Sequence, residues 1–231
     1  AFSPNFDPRT EANNKGWSLN VKADLGFASL SMTTADRTSN TVTDADVDFD
    51  STMLLGRDPN SLDLSGLSHE MRLASNGDDQ IKWQVGAFYQ QEDLYHKNSL
   101  KFGPGFRDFG EALAQSPGIF DSVEAALGLP SGTIFAQGQG TNDQFTQDNK
   151  SLSLFGEVEV AMTEQLTATF GLSYFEDKKT VVYTQSNDDI FSNLDLYGIL
   201  VGGGLMAGLT PEQAAVAAVD NPLLGLTPFQ F

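Results

Sequence analysis

The sequence contains no cysteine among its 231 residues, which excludes disulfides and thiolate metal sites. Histidine is nearly absent too. His69 and His96 are the only two, neither sits in a ligand motif, and they fall at opposite strand ends, so they make no common metal site. Basic residues are scarce: 13 Lys and Arg stand against 31 Asp and Glu, a formal net charge of -18. Nucleic acid is thereby excluded as a partner, because phosphate is repelled. The same balance argues against docking on an anionic membrane surface, while it permits cation binding and aids solubility. No apolar run approaches the roughly 18 residues of a membrane helix. The opening residues, AFSPNFDPRT, lack the basic and apolar regions of a signal peptide, as either a mature chain or an internal fragment would. Gly202-Gly203-Gly204 is followed by no phosphate-loop lysine and is read as a flexible hinge. No pair of carboxylates is singled out for acid and base work. The sequence therefore assigns no catalytic residue, no metal and no cofactor.

What the sequence does contain is alternation. In IKWQVGAFYQ, Trp83, Val85, Ala87 and Tyr89 fall on one face of a strand and Lys82, Gln84, Gly86, Phe88 and Gln90 on the other. Leu67, Met71 and Leu73, with His69 as an exception, oppose Ser68, Glu70, Arg72 and Ala74 on the preceding strand. The pattern recurs twice. Trp17, Leu19, Val21 and Ala23 lead through an Asp24-Leu25-Gly26 turn to Ala28, Leu30 and Met32. Leu152, Leu154, Gly156, Val158 and Val160 lead through MTEQ to Leu166, Ala168, Phe170, Leu172 and Tyr174. Ser151, Ser153, Phe155, Glu157 and Glu159 form the other face of that last hairpin.

Three hairpins are thus expected near residues 16–36, 66–95 and 150–184, with residues 1–15 as loop. Short turns join the strands at Asp24 to Gly26, Asn76 to Gln80 and Met162 to Gln165. Long connections are expected over 37–65, 96–149 and 185–231. Phe120 to Leu129 reads as a short helix capped by Asp121 or Ser122, and Thr210 caps a second helix that opens at Pro211 and stops at Asn221-Pro222. All tight turns fall at one end and all long loops at the other. With alternating strands of about ten residues, that is the signature of an all-β, antiparallel up-and-down transmembrane barrel segment of about six strands, with long, partly helical extracellular loops. Trp17, Trp83, Tyr89 and Tyr174 lie toward strand ends, where aromatic girdles sit.

At SHEMRLAS followed by WQVGAFY, and again at KSLSLFGEVEVAMTEQLTATFGLSYFEDKK, the chain resembles the barrel of a TonB-dependent outer-membrane receptor. The resemblance runs over about residues 16–184. Its cues are the Glu70-Met71-Arg72-Leu73 strand entering a Gly-Asp turn, the Trp83 to Tyr89 return, and Phe155-Gly156-Glu157 leading to Phe170-Gly171-Leu172-Ser173-Tyr174. It implies a barrel of about 22 strands closed by an N-terminal plug. It also implies energised uptake of a scarce ligand, in the class of ferric siderophores, cobalamin or glycans, across the outer membrane of a Gram-negative bacterium. The implied partners are outer-membrane lipid, the remaining strands and plug of the same receptor, and the TonB complex acting through an N-terminal region. Neither a plug nor an energising motif is visible, and six strands of this kind cannot close. The expectation is an internal piece of a longer receptor. Phe231 follows Thr227-Pro228 and no alternating strand, so it is read as a point of truncation and not as an aromatic terminus.

On a barrel the polar face looks into the lumen. Glu70, Arg72, Gln84, Glu157 and Glu159, with Lys82, are the candidates for contact with plug or ligand, although a water-lined wall is polar in any case. The aspartates Asp44, Asp46, Asp48 and Asp50 alternate in DADVDFD and could converge on calcium, but the glycine and terminal glutamate of an EF-hand loop are missing, so a solvated acidic loop is expected. Asp188 and Asp189 carry less information still. The alternative to a receptor is a soluble, acidic, β-rich module that binds glycans or similar ligands; a hydrolase working through two loop carboxylates is a more distant third.

Overall fold

In the computed structural model, the described residues are 7–49, 51–56, 59–76 and 80–230, without the side chains of residues 228 and 229. Six long strands make one antiparallel up-and-down sheet: β1 (Arg9–Asp24), β2 (Ala28–Asp44), β4 (Asn60–Ser75), β5 (Ile81–Phe102), β6 (Gly140–Thr163) and β7 (Leu166–Asn187), neighbours in that order. A two-residue strand, β3 (Leu55–Gly56), pairs with the end of β5. β1 and β7 are the edges of the sheet, and almost every residue on them is exposed on both faces.

The turns have local causes. Leu25 donates its N–H to the Ala28 carbonyl at 2.9 Å, and the Asp24 carboxylate accepts the Gly26 N–H at 2.8 Å. Gly26 has φ 84°, a left-handed conformation that a side chain disfavours. At the other hairpin Thr163 pairs directly with Leu166 after a bulge between Ala161 and Thr163. The turn expected over Asn76 to Gln80 has its centre, residues 77–79, outside the described residues; Asn76 itself donates through Nδ2 to Asp24 at 2.8 Å, which ties neighbouring turns together.

The strands run far beyond the lengths expected from alternation. They hold 16, 17, 16, 22, 24 and 22 residues, where about ten suffice to cross a bilayer. Residues 9–15, expected as loop, belong to β1, and the connections shrink to 45–59, 103–139 and the segment after Asn187. The added lengths lie at the long-loop end and are rich in Thr, Ser, Asn and Asp on both faces. Water on both faces removes the need for alternation, so the signal that marks the first part of each strand vanishes although the backbone ladder continues. As a result Trp17, Tyr89 and Tyr174 sit in mid-strand, not at strand ends.

The buried core lies off the sheet. Connection 103–139 carries α1 (Phe106–Leu113) and α2 (Ile119–Leu127); the segment after β7 carries a 3-10 turn (Phe191–Asn193), α3 (Leu196–Met206), α4 (Pro211–Val219) and a second 3-10 stretch (Pro222–Phe229). Phe102, Phe106, Phe120, Ile134, Phe135, Phe191, Leu196, Leu223 and Leu226 pack into one cluster, joined from connection 45–59 by Leu54 and Leu55. Phe135 is its hub, with ring centroids 5.0 Å from Phe102, Phe106 and Phe120 and 4.2 Å from Phe191. Three separate connections thus share one cap over the end of the sheet. Among the described residues no helix is long and apolar enough to cross a membrane.

Two local expectations are corrected. α2 begins at a left-handed Gly118 with no side-chain cap; Asp121 and Ser122 are engaged elsewhere, Asp121 accepting from Arg107 and Ser131, and Ser122 donating to the Gly118 carbonyl. Gly202-Gly203-Gly204 is no hinge but the interior of α3, whose start is capped by Asp195. The bare Gly204 lets α4 approach: a Cβ there would stand 2.9 Å from the Ala214 Cβ. α4 is capped by Thr210, which exchanges bonds with Gln213, as Thr-Pro at its start implies.

Candidate functional site

Antiparallel register places directly paired residues on one face, so the two faces of the sheet can be followed strand by strand. Across β1 to β7 one row reads Ala23, Leu30, Leu73, Val85, Gly156 and Leu172, and the next reads Val21, Met32, Met71, Ala87, Leu154 and Tyr174. Toward the turns the same face adds Trp83, Val158 and Phe170. This is a continuous apolar band six strands wide, and among the described residues nothing covers it: Phe170 and Leu172 are each 74% exposed. His69, the apparent exception, sits at the margin of the band. Its row runs Leu19, Thr34, His69, Tyr89, Leu152 and Glu176, its Nδ1 lies 3.0 Å from the Thr34 hydroxyl, and its ring stacks near Tyr89. One row further the face turns mostly polar, as Trp17, Asp36, Leu67, Gln91, Lys150 and Lys178, and the band ends.

The opposite face carries all five polar candidates. Arg72 donates to Glu70 at 3.1 Å, and its guanidinium carbon lies 5.6 Å from the centroid of the Phe155 ring. Gln84 donates to Glu157 at 3.3 Å, and Glu159 is the register partner of Lys82. Glu70, Arg72, Gln84 and Glu157 therefore fall into two neighbouring pairs joined through Phe155 and Gly86, with Glu159 farther toward the turns. These groups are exposed or half-buried, so each ion pair or hydrogen bond is weak, of order 1 kcal/mol or less. His96 also belongs to this face but lies well away, at the long-loop end.

Sequence alternation did not point to the hollow around His96. Thr41, Thr43, Leu62, Leu94, His96 and Phe145 line a space of about 400 Å³ below the cap, and all of them share the face of Glu70 and Glu157. A larger hollow of about 770 Å³ lies on the same face nearer the band, against Arg37, Gly66, Phe88 and Gln90. Leu62 and Leu94 keep the residue parity of Glu70 and Gln84, but Leu62, His96 and Phe145 lie beyond the strand ends that alternation marks.

The cap above is held by carboxylates. Glu124, 1% exposed, receives Arg107 in a bidentate pair at 2.8 and 3.0 Å and the backbone N–H groups of Ile134 (2.6 Å) and Gly132 (3.0 Å). Burial pushes the Glu124 carboxyl up, but the Arg107 and backbone bonds outweigh it and hold it below the usual carboxylate range. Asp188 clamps the cap to the sheet, accepting from Lys101 at 2.9 Å and from the Gly140 N–H at 2.6 Å. There too burial opposes and the Lys101 and Gly140 bonds prevail, so its pKa is lowered. Asp189 accepts from the N–H and hydroxyl of Ser192 and closes the first 3-10 turn.

The acidic run has the same structural use. Asp46 accepts the N–H groups of Asp48 and Phe49, and Asp48 accepts those of Leu54 and Leu55 at 2.8 Å. Asp50 lies outside the described residues. Among the described residues no group of three His, Asp or Glu side chains could hold a metal ion. The connections remain strongly acidic. Residues 188–231 hold Asp188, Asp189, Asp195, Glu212 and Asp220 and no lysine or arginine, and residues 103–139 hold Asp108, Glu111, Asp121 and Glu124 against Arg107 alone.

No family model and no curated protein matches the sequence. Solved structures do: 18 chains resemble this fold. One is the ferric yersiniabactin uptake receptor FyuA from Yersinia pestis, at TM-score 0.57 and 12% identity, over 79% of this chain and 23% of the receptor chain. The chain thus spans less than a quarter of that receptor, and its up-and-down sheet has the fold of a segment of such a β-barrel.

Proposed function

We propose that the chain is part of the wall and outer rim of an outer-membrane receptor for energised uptake of a scarce small ligand. The observation that carries the reading is the apolar band, continuous in register across six strands, uncovered, and bounded by short turns on one side and a long-loop cap on the other. Lipid is the cover that suits such a band. The polar face with Glu70, Arg72, Gln84, Glu157 and Glu159 then looks into the lumen, the turns face the periplasm, and the cap stands outside the cell.

The exposed edges of β1 and β7 call for further strands, since unpaired backbone is not tolerated in hydrocarbon. The similarity to an uptake receptor supports a plug inside the barrel and a TonB complex that energises it. Ligand is bound beneath the cap and released inward when the plug moves; no bond of the ligand is made or broken by this chain. Siderophore uptake is the first class to try, because the similar receptor is named for the uptake of ferric yersiniabactin.

Membrane association decides between this and a soluble binding module. The full-length protein should sediment with isolated outer membranes, resist extraction by sodium carbonate, and dissolve only in detergent. Release into carbonate or plain buffer would favour the soluble alternative.

A further inference from the structure

We infer that the hollow at the long-loop end is a binding site for a small organic cation, a ligand class that rests on the lumen-facing reading of this surface. One register row crosses five strands there as Thr41, Leu62, His96, Phe145 and Tyr183. The Tyr183 hydroxyl donates to Asp143 at 3.0 Å, and Asp143 shares the face of Phe145 two residues away on β6. The rings of His96 and Phe145 and the apolar side chains of Leu62 and Leu94 line a space of about 400 Å³, and the Tyr183–Asp143 pair stands beside it, Tyr183 as the register partner of Phe145 and Asp143 two residues along β6 on the same face.

That combination suits an ammonium group. Ring faces attract cations, a carboxylate neutralises them, and the leucines accept an apolar body. An anion finds nothing comparable. No lysine or arginine lines the hollow, and Arg107 in the cap is committed to Glu124, Asp121 and the Ile134 carbonyl. The acidic connections around the rim add a long-range field of the same sign, which concentrates cations and repels anions.

The site can be probed without knowing the natural ligand. In the full-length protein, with any cysteine outside this chain replaced by serine, Thr43→Cys places one thiol on the hollow. Its modification rates are measured with a cationic trimethylammonium-ethyl thiosulfonate and an anionic sulfonatoethyl thiosulfonate, each normalised to a free small thiol. A preference for the cationic reagent of about 10-fold or more at low salt, collapsing at high salt, is expected. Phenyltrimethylammonium should protect the thiol, and Phe145→Ala should abolish that protection while leaving the rate ratio. Equal rates, an anionic preference, equal protection by benzenesulfonate, or a thiol inert to both reagents would each overturn the inference. If the protein proves soluble the receptor reading fails, yet the same rates measured in solution still decide the hollow.

Discussion

Phe155 lies across Gly86, its register partner on β5, so closely that a methyl group on residue 86 would meet the ring: the nearest ring carbons beyond its tip stand 2.8 Å from the site of a Cβ. The absent side chain lets an aromatic ring lie flat on a polar wall, where Arg72 covers it from 5.6 Å. Gly86→Ala should tilt the ring away from Arg72 and cost about 1 kcal/mol, the scale of an exposed cation–π contact. Phe155→Ala should remove the same contact, so the double variant should be no worse than the worse single one. Denaturant midpoints of the four proteins, refolded in detergent, check the non-additivity.

Glu124 is the group whose loss should damage the cap most. Glu124→Ala leaves two buried backbone N–H groups unpaired and takes the bidentate partner from Arg107, which keeps only Asp121 and the Ile134 carbonyl, for a loss of about 3–5 kcal/mol. Replacing both partners by apolar residues should not recover it, because the N–H groups of Gly132 and Ile134 would stay unpaired at about 1–3 kcal/mol each. Hydrogen exchange over residues 130–136 should accelerate in both variants, while exchange in the middle of β6 should not change.

The same group sets a pH dependence. Its folded pKa is depressed, so its contribution is fully present above the ordinary glutamate value of about 4.3 and is lost as pH falls through the lower folded value. Cap protection should therefore hold from neutrality to about pH 5 and weaken in stronger acid. Asp188 has the same sign, but its side chain is 51% exposed, so Asp188→Asn should cost less than about 1 kcal/mol. Exchange at Gly140 against pH reads the second effect, and exchange at Ile134 the first.

Phe135 holds the centre of the cap at φ 55°, a backbone conformation rare for a residue with a side chain. Phe135→Ala keeps that strain and removes four ring contacts, so a loss of about 3–5 kcal/mol is expected from the cavity. Phe135→Leu should recover part of it. A thermal melt of the cap, followed by exchange at residues 102 and 191, measures both.

Legibility in the sequence followed the physics at each height of the wall. Around Leu73, Val85 and Leu172 one face is apolar and the other polar, and alternation alone placed every residue on the correct face. Around Asn13, Asn40 and Thr146 both faces are polar and nothing alternates, so residues 9–15 of β1 read as loop. The core was hidden for another reason: Leu54, Phe135 and Phe191 come from three connections and Phe102 from the end of β5, and no local pattern links residues so distant. Glu70, Arg72, Gln84 and Glu157 share one face by parity alone, which needs no tertiary information. The hollow at His96 and Phe145 depends on the full length of β4, β5 and β6.

Charge on the two faces should be tolerated very differently. In a bilayer Leu172→Lys should cost about 2–4 kcal/mol, whereas Ser173→Lys, one residue on and on the opposite face, should be nearly neutral. Folding yields in lipid vesicles across a urea series compare the two.

The most direct test is a scan of single cysteines along β7 in the full-length protein inserted in membranes, from Phe170 through Tyr174 and again at Thr180 and Val181. Each thiol is offered a membrane-dissolved maleimide and an impermeant, water-soluble one. The expected result is strict alternation at the first five positions, with 170, 172 and 174 reacting from lipid and 171 and 173 from water, and reaction from water at both 180 and 181. Reaction from water at 170, 172 and 174 as well would show that no bilayer covers the band, and would contradict the central claim.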